Sequence, residues 1–142
     1  MIPSHETGPL VLALPRATHA TLGALQAALA DLDLTASEIN ALANLADGRA
    51  RSIGELAADT ATKPTTLTSV LDRLARRGYI ERQLDPADRR SFLVSLTDDG
   101  RQAADAVSAA VGDLERAVLA TITSADLAGF RAVTHAILEV LR

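Results

Sequence analysis

"LDRLARRGYIERQLDPADRRSFLVSLTDDG", Leu71 to Gly100, changes its hydrophobic period twice within a short span. Leu71 and Leu74 close a helical stripe, and "RRG" ends it at Gly78, a residue that adopts the left-handed turn at no steric cost. Then the spacing drops to two. Ile80, Arg82 and Leu84 share one face of "YIERQL", and Phe92, Val94 and Leu96 repeat the alternation in "SFLVSLT". These are two short strands of a β-hairpin, and the "DPADRR" between them is longer than a two-residue turn, so the tip projects. In "LTDDG" the period returns to that of a helix. Thr97 caps it, with Asp98 and Asp99 at the positive end of its dipole.

Upstream, "KPTTLTSVLDRLARRG" reads as one helix with Leu67, Val70, Leu71 and Leu74 buried. Pro64 fits its first position, and Lys63 before it is pushed toward an extended conformation. Two earlier helices open with capping boxes, Thr35 with Glu38 and Ser52 with Glu55, and Gly48 stops the first of them. In that first helix Ile39, Leu42 and Leu45 line one side. An N-terminal helix within residues 10–32 carries Leu22, Leu25, Leu29 and Leu32, with Pro15 bending or delaying its start. Downstream, Val107, Val111, Leu114 and Val118 step by four, three and four as in a coiled-coil seam. A last helix starts at "TSAD" with Leu127, Phe130, Val133, Ile137 and Leu141 on one face.

The expected fold is mainly α with a small β-hairpin wing: a winged helix-turn-helix lobe at 35–97, flanked by helical dimerisation regions at 1–34 and 98–142. Composition agrees. Of 142 residues, 48% are apolar and only Tyr79, Phe92 and Phe130 are aromatic, which favours helices over a β-sandwich. With no cysteine, thiolate metal sites and thiol redox sensing are excluded. "LVLAL", Leu10 to Leu14, lacks a basic flank and is stopped by Pro15 and Arg16, so it does not read as a leader. No apolar run reaches the length of a membrane span, and a cytoplasmic protein without a membrane partner is expected.

The net charge of −4 argues against a nonspecific nucleic-acid coat, but the charge is segregated. From Lys63 to Arg90 there are seven basic and four acidic residues, a local net of +3. The rest carries seven basic and fourteen acidic residues, a net of −7. A basic face on an acidic body is the electrostatic footprint of a DNA-binding element. In a helix-turn-helix the second helix, here Lys63 to Arg77, lies in the major groove with its leading residues at base edges. Thr65, Thr66, Thr68 and Ser69 supply hydroxyls there, followed by Arg73 and Arg76. The wing places Arg89 and Arg90 for the adjacent minor groove, whose narrow A·T stretches attract arginine. Asp85 and Asp88 are read as local partners that hold a neighbouring guanidinium in a defined direction.

The same stretch, Leu71 to Gly100, resembles the signature of the multiple-antibiotic-resistance regulator (MarR) family in its "LDRL" helix end, "RRG" turn, "DPADRR" wing and closing "LTDDG". The order of the flanking helices is similar too. The resemblance implies a homodimeric transcriptional regulator, a ligand-responsive repressor, in which helices from both chain ends interleave. By matching position, Arg90 corresponds to the wing arginine that enters the minor groove and Asp88 to the acidic residue that orients it. Arg73 corresponds to a helix arginine near the phosphates or in the lobe's internal ion pairs, and Thr68 to a base-touching position. Ser69 departs from the longer basic residue many members carry there. Independently, the apolar residues Leu22, Leu25, Leu29, Val107, Val111, Leu114, Phe130 and Ile137 make seams that one short chain would hardly cover, as a dimer requires. Such a dimer reads double-stranded DNA as a pseudo-palindrome, its half-sites about one helical turn apart, roughly 34 Å.

The resemblance also implies a small aromatic or phenolic effector. Arg16, His19, Arg49 and Arg51 are the polar groups that could line its cleft. His5, His19 and His135 are far apart and lack paired metal-ligand spacing, and no phosphate loop or nucleophile elbow occurs. Neither catalysis nor a cofactor is expected. A winged-helix assembly module that never touches DNA is the competing reading, and Arg90→Ala discriminates between the two.

Overall fold

The computed structural model describes residues 8–142, so His5 and the first part of the expected 1–34 region lie outside the described residues. The chain packs as two units, one running to Ala110 and the other covering Val111–Arg142.

In the first unit, helix α1 (Leu10–Ala28) is followed by a 3₁₀ turn at Ala30–Leu32 and by α2 (Ala36–Leu45). A two-residue strand β1 (Arg51–Ser52) leads into α3 (Ile53–Asp59) and α4 (Pro64–Arg76). Strands β2 (Ile80–Leu84) and β3 (Phe92–Leu96) precede the long helix α5 (Asp98–Leu119), which crosses into the second unit. Pro15 neither delays α1 nor ends it: the helix starts at Leu10 and holds Pro15 in its second turn.

The core forms where the apolar stripes of α2, α3 and α4 meet. Ile39, Leu42, Leu45, Leu56, Leu67, Leu71 and Leu74 are essentially inaccessible to solvent, and Leu25 and Leu29 of the α1 segment join them. From α5 comes Val107, also fully buried. This corrects part of the expected dimer seam: Leu25, Leu29 and Val107 are covered by their own chain. On α1 the large apolar side chains left exposed are Leu10, Val11 and Leu12.

The sheet has three strands, not two, in the order β1-β3-β2, all neighbours antiparallel. Arg82 faces Val94 in register, and Leu84 faces Phe92 at the far end of the hairpin. Ile80, Val94 and Leu96 are buried on the core side, whereas Leu84 and Phe92, on the same face by the two-residue alternation, project past the core and are exposed.

The second unit holds the end of α5 and helix α6 (Ser124–Val140). A reciprocal capping box of Thr123 and Asp126 starts α6. Hydrogen bonds from the Thr123 backbone N–H and then its side chain hold the Asp126 carboxyl below its ordinary value. Leu127, Val133 and Ile137 are half-buried, while Val118, Leu119, Phe130, Leu138, Val140 and Leu141 remain exposed.

Candidate nucleic-acid interface

Helix α4 begins as its sequence dictates. Lys63 is extended at the N-cap (φ −63°, ψ 140°) and Pro64 takes the first helical position. The helix ends in a Schellman turn: Gly78, at φ +76°, donates to Ala75 O, and the Tyr79 N–H donates to Leu74 O. With Leu67, Val70, Leu71 and Leu74 buried, the opposite side turns Thr65, Thr66, Thr68 and Ser69 to solvent. The Thr68 hydroxyl donates back to Pro64 O (2.9 Å), which leaves its oxygen free only as an acceptor.

The wing tip is a built loop rather than a slack one. The Asp85 N–H donates to Ser91 O across its neck (3.0 Å). Oδ1 of Asp85 accepts the Ala87 N–H (2.9 Å), and Oδ1 of Asp88 accepts the Arg90 N–H (3.0 Å), so two Asx turns follow one another. This corrects the sequence reading of the aspartates. No ion pair among the described residues joins Asp85 or Asp88 to Arg89 or Arg90. Asp88 fixes the backbone that carries Arg90, not its guanidinium, and the cation stays open to solvent.

The other arginines of the basic stretch divide by partner. Arg73 Nε meets Glu38 Oε1 and Arg77 Nη1 meets Glu38 Oε2, both at 3.2 Å, with the Glu38 side chain only 4% exposed. Of the two roles the resemblance allowed Arg73, the structure therefore shows the internal ion pair. Glu38 is also where sequence reasoning went wrong. Its backbone N–H donates to the Thr35 hydroxyl as expected, but its carboxylate serves the two arginines instead of returning to the cap. At Ser52 and Glu55 the reciprocal box does form. Arg82 bridges to Asp72 of α4 at 2.7 Å, which ties the wing to the helix. Lys63, Arg76, Arg89 and Arg90 are exposed and without an ion pair among the described residues. The open cations lie at the start and end of α4 and at the wing tip.

The four candidate effector residues differ in their surroundings. Arg16 and His19 are exposed on α1, and Arg49 is exposed in the α2–β1 loop. Arg51 is committed elsewhere: its guanidinium donates to Asn44 O and pairs with Asp47 (2.6 Å) and Asp59 (3.5 Å). A cleft of about 540 Å³ lies between the start of α3 and the wing loop, with Glu55, Asp88, Arg90 and Phe92 among its lining and none of those four. No cluster of histidine and carboxylate side chains among the described residues could hold a metal ion.

An Ala/Leu-rich helical triad, a short three-stranded sheet and a braced basic loop make this lobe a winged helix-turn-helix. A sequence profile described as MarR family matches residues 32–91. The chain is 31% identical over 101 residues to the multiple antibiotic resistance protein MarR of Escherichia coli, 70% of each chain. It belongs to the MarR family. Against MarR of Salmonella typhimurium the identity is 38% over 72 residues, 51% of this chain, so the chain spans about half the length (50%) of that curated relative. Among solved structures, a mutant E. coli MarR complexed with operator DNA is 27% identical, with a TM-score of 0.78 over 92% of this chain and 94% of that one. CouR from Rhodococcus jostii bound to p-coumaroyl-CoA is 26% identical, with a TM-score of 0.80 and 92% of both chains covered.

Proposed function

We propose that this chain is a sequence-specific DNA-binding transcriptional repressor that acts as a homodimer on a pseudo-palindromic operator. One observation carries the reading. The positive charge left without an internal partner in the basic stretch sits where a groove-reading helix and a wing would present it, at Lys63, Arg76, Arg89 and Arg90. Thr65, Thr66, Thr68 and Ser69 face the major groove, and Arg90 enters the minor groove from a loop already ordered by Asp88. Because that loop is fixed before binding, little backbone entropy is given up on the duplex. The likeness to MarR in complex with operator DNA supports the same assignment.

The dimer rests on exposed apolar side chains at both chain ends, Leu10, Val11 and Leu12 on α1 and Phe130, Leu138 and Leu141 at the α6 end. The effector is proposed to be a small aromatic or phenolic compound, by analogy with the 6-hydroxynicotinic acid that regulates DNA binding by BpsR of Bordetella bronchiseptica, a solved structure 27% identical to this chain. Selection of duplexes from a random pool tests the central reading. A two-fold symmetric consensus is expected, and recovery of no preferred sequence would overturn it.

A further inference from the structure

Arg77 counts toward the basic stretch, yet its surroundings point away from DNA. Its guanidinium is shared among four partners: Glu38 Oε2 (3.2 Å), Asp33 O (2.9 Å), Leu32 O, and the Tyr79 ring, whose centroid lies 5.1 Å from Cζ. Leu32 and Asp33 form the joint between the α1 segment and α2, where Asp33 adopts φ +48°. The two residues after Arg77 are fastened to a different place. Gly78 O accepts the Thr97 hydroxyl (2.5 Å), and Tyr79 O accepts the Thr97 N–H (3.0 Å). Thr97 in turn caps α5 by accepting the Gly100 N–H (3.0 Å), and a Cβ at Gly100 would run into the Tyr79 carbonyl.

From this we infer that Arg77-Gly78-Tyr79 is the junction that sets the direction of the reading helix, with Arg77 a positioning residue and not a phosphate ligand. Both helices that leave the lobe, α1 through Leu32 and Asp33 and α5 through Thr97 and Gly100, are fixed to the same three residues at the end of α4. A planar guanidinium suits this role because its fork can serve a carboxylate and two carbonyls at once while stacking on a ring. Lysine offers one point charge and cannot reproduce the fork. Buried Glu38 completes the device by holding the fork from the α2 side, with Arg73 as its second partner.

The inference rests on the DNA-binding reading above. The experiment uses the selected operator and two versions with one base pair added or removed between half-sites, titrated with wild type, Arg77→Met and Arg77→Lys. Wild type should discriminate against altered spacing. Both variants should lose that discrimination by about 2- to 30-fold, Arg77→Lys less than Arg77→Met, with the dependence of affinity on salt unchanged. Melting of each variant is followed alongside, and should Arg77→Met fail to fold, Arg77→Lys decides the spacing preference. If the salt slope of Arg77→Met falls by about one, Arg77 touches phosphate and the inference fails. It fails equally if spacing preference is unaltered. A wild-type protein that selects no duplex would instead sink the DNA-binding reading itself.

Discussion

Arg90 draws its proposed role from a neighbour that does not touch its charge. Asp88 accepts the Arg90 backbone N–H, so the loop is shaped while the guanidinium is left open. Asp88→Ala should therefore weaken operator binding less than Arg90→Ala does and should leave the salt slope as in wild type, since no cation is removed. Fluorescence anisotropy across a salt series reads both quantities; a reduced slope for Asp88→Ala would contradict the account. The identities of the open cations were legible in the sequence. Their separation from the committed ones was not, because ion pairs such as Glu38 with Arg73 and Arg77 join residues 35 and 39 positions apart. A Thr-x-x-Glu spacing explained Glu38 by a local rule, and the local rule lost to the long-range arginines.

Elements whose period was long enough to count emerged as read. The stripe Leu67, Val70, Leu71 and Leu74 is buried as its spacing requires, and the β2–β3 hairpin keeps the alternation of its sequence. Strand β1 escaped because two residues, Arg51 and Ser52, have no period and stand next to a capping box that already accounted for Ser52. The seam on the terminal helices was overdrawn for a related reason. Spacing shows that Leu25, Leu29 and Val107 face something apolar, but not whether that surface belongs to the same chain. At the start of α5, Gly100 lies against the Tyr79 carbonyl, so packing there is set by backbone and cannot yield cheaply. Gly100→Ala should destabilise the protein by about 1–3 kcal/mol or more, seen as a lower urea midpoint at constant m. An unchanged midpoint would show that the close approach is not a constraint.

For the whole molecule, charge is arranged so that an acidic chain presents a basic stretch from Lys63 to Arg90. No helix among the described residues is long and apolar enough to cross a membrane. The exposed apolar residues are concentrated at the two chain ends, which is where a second copy is proposed to cover them. Sedimentation should give a dimer at micromolar concentration, and Phe130→Glu, exposed on α6, should shift it toward monomer while leaving secondary structure intact. A wild-type monomer would remove the symmetric operator with it. The most direct test is the salt dependence of affinity for the selected duplex, measured for wild type and Arg90→Ala. Wild-type affinity should weaken steeply with salt. Arg90→Ala should bind more weakly by about 1–3 kcal/mol and show a shallower slope. Equal affinities and equal slopes for the two proteins would contradict the DNA-binding role of Arg90.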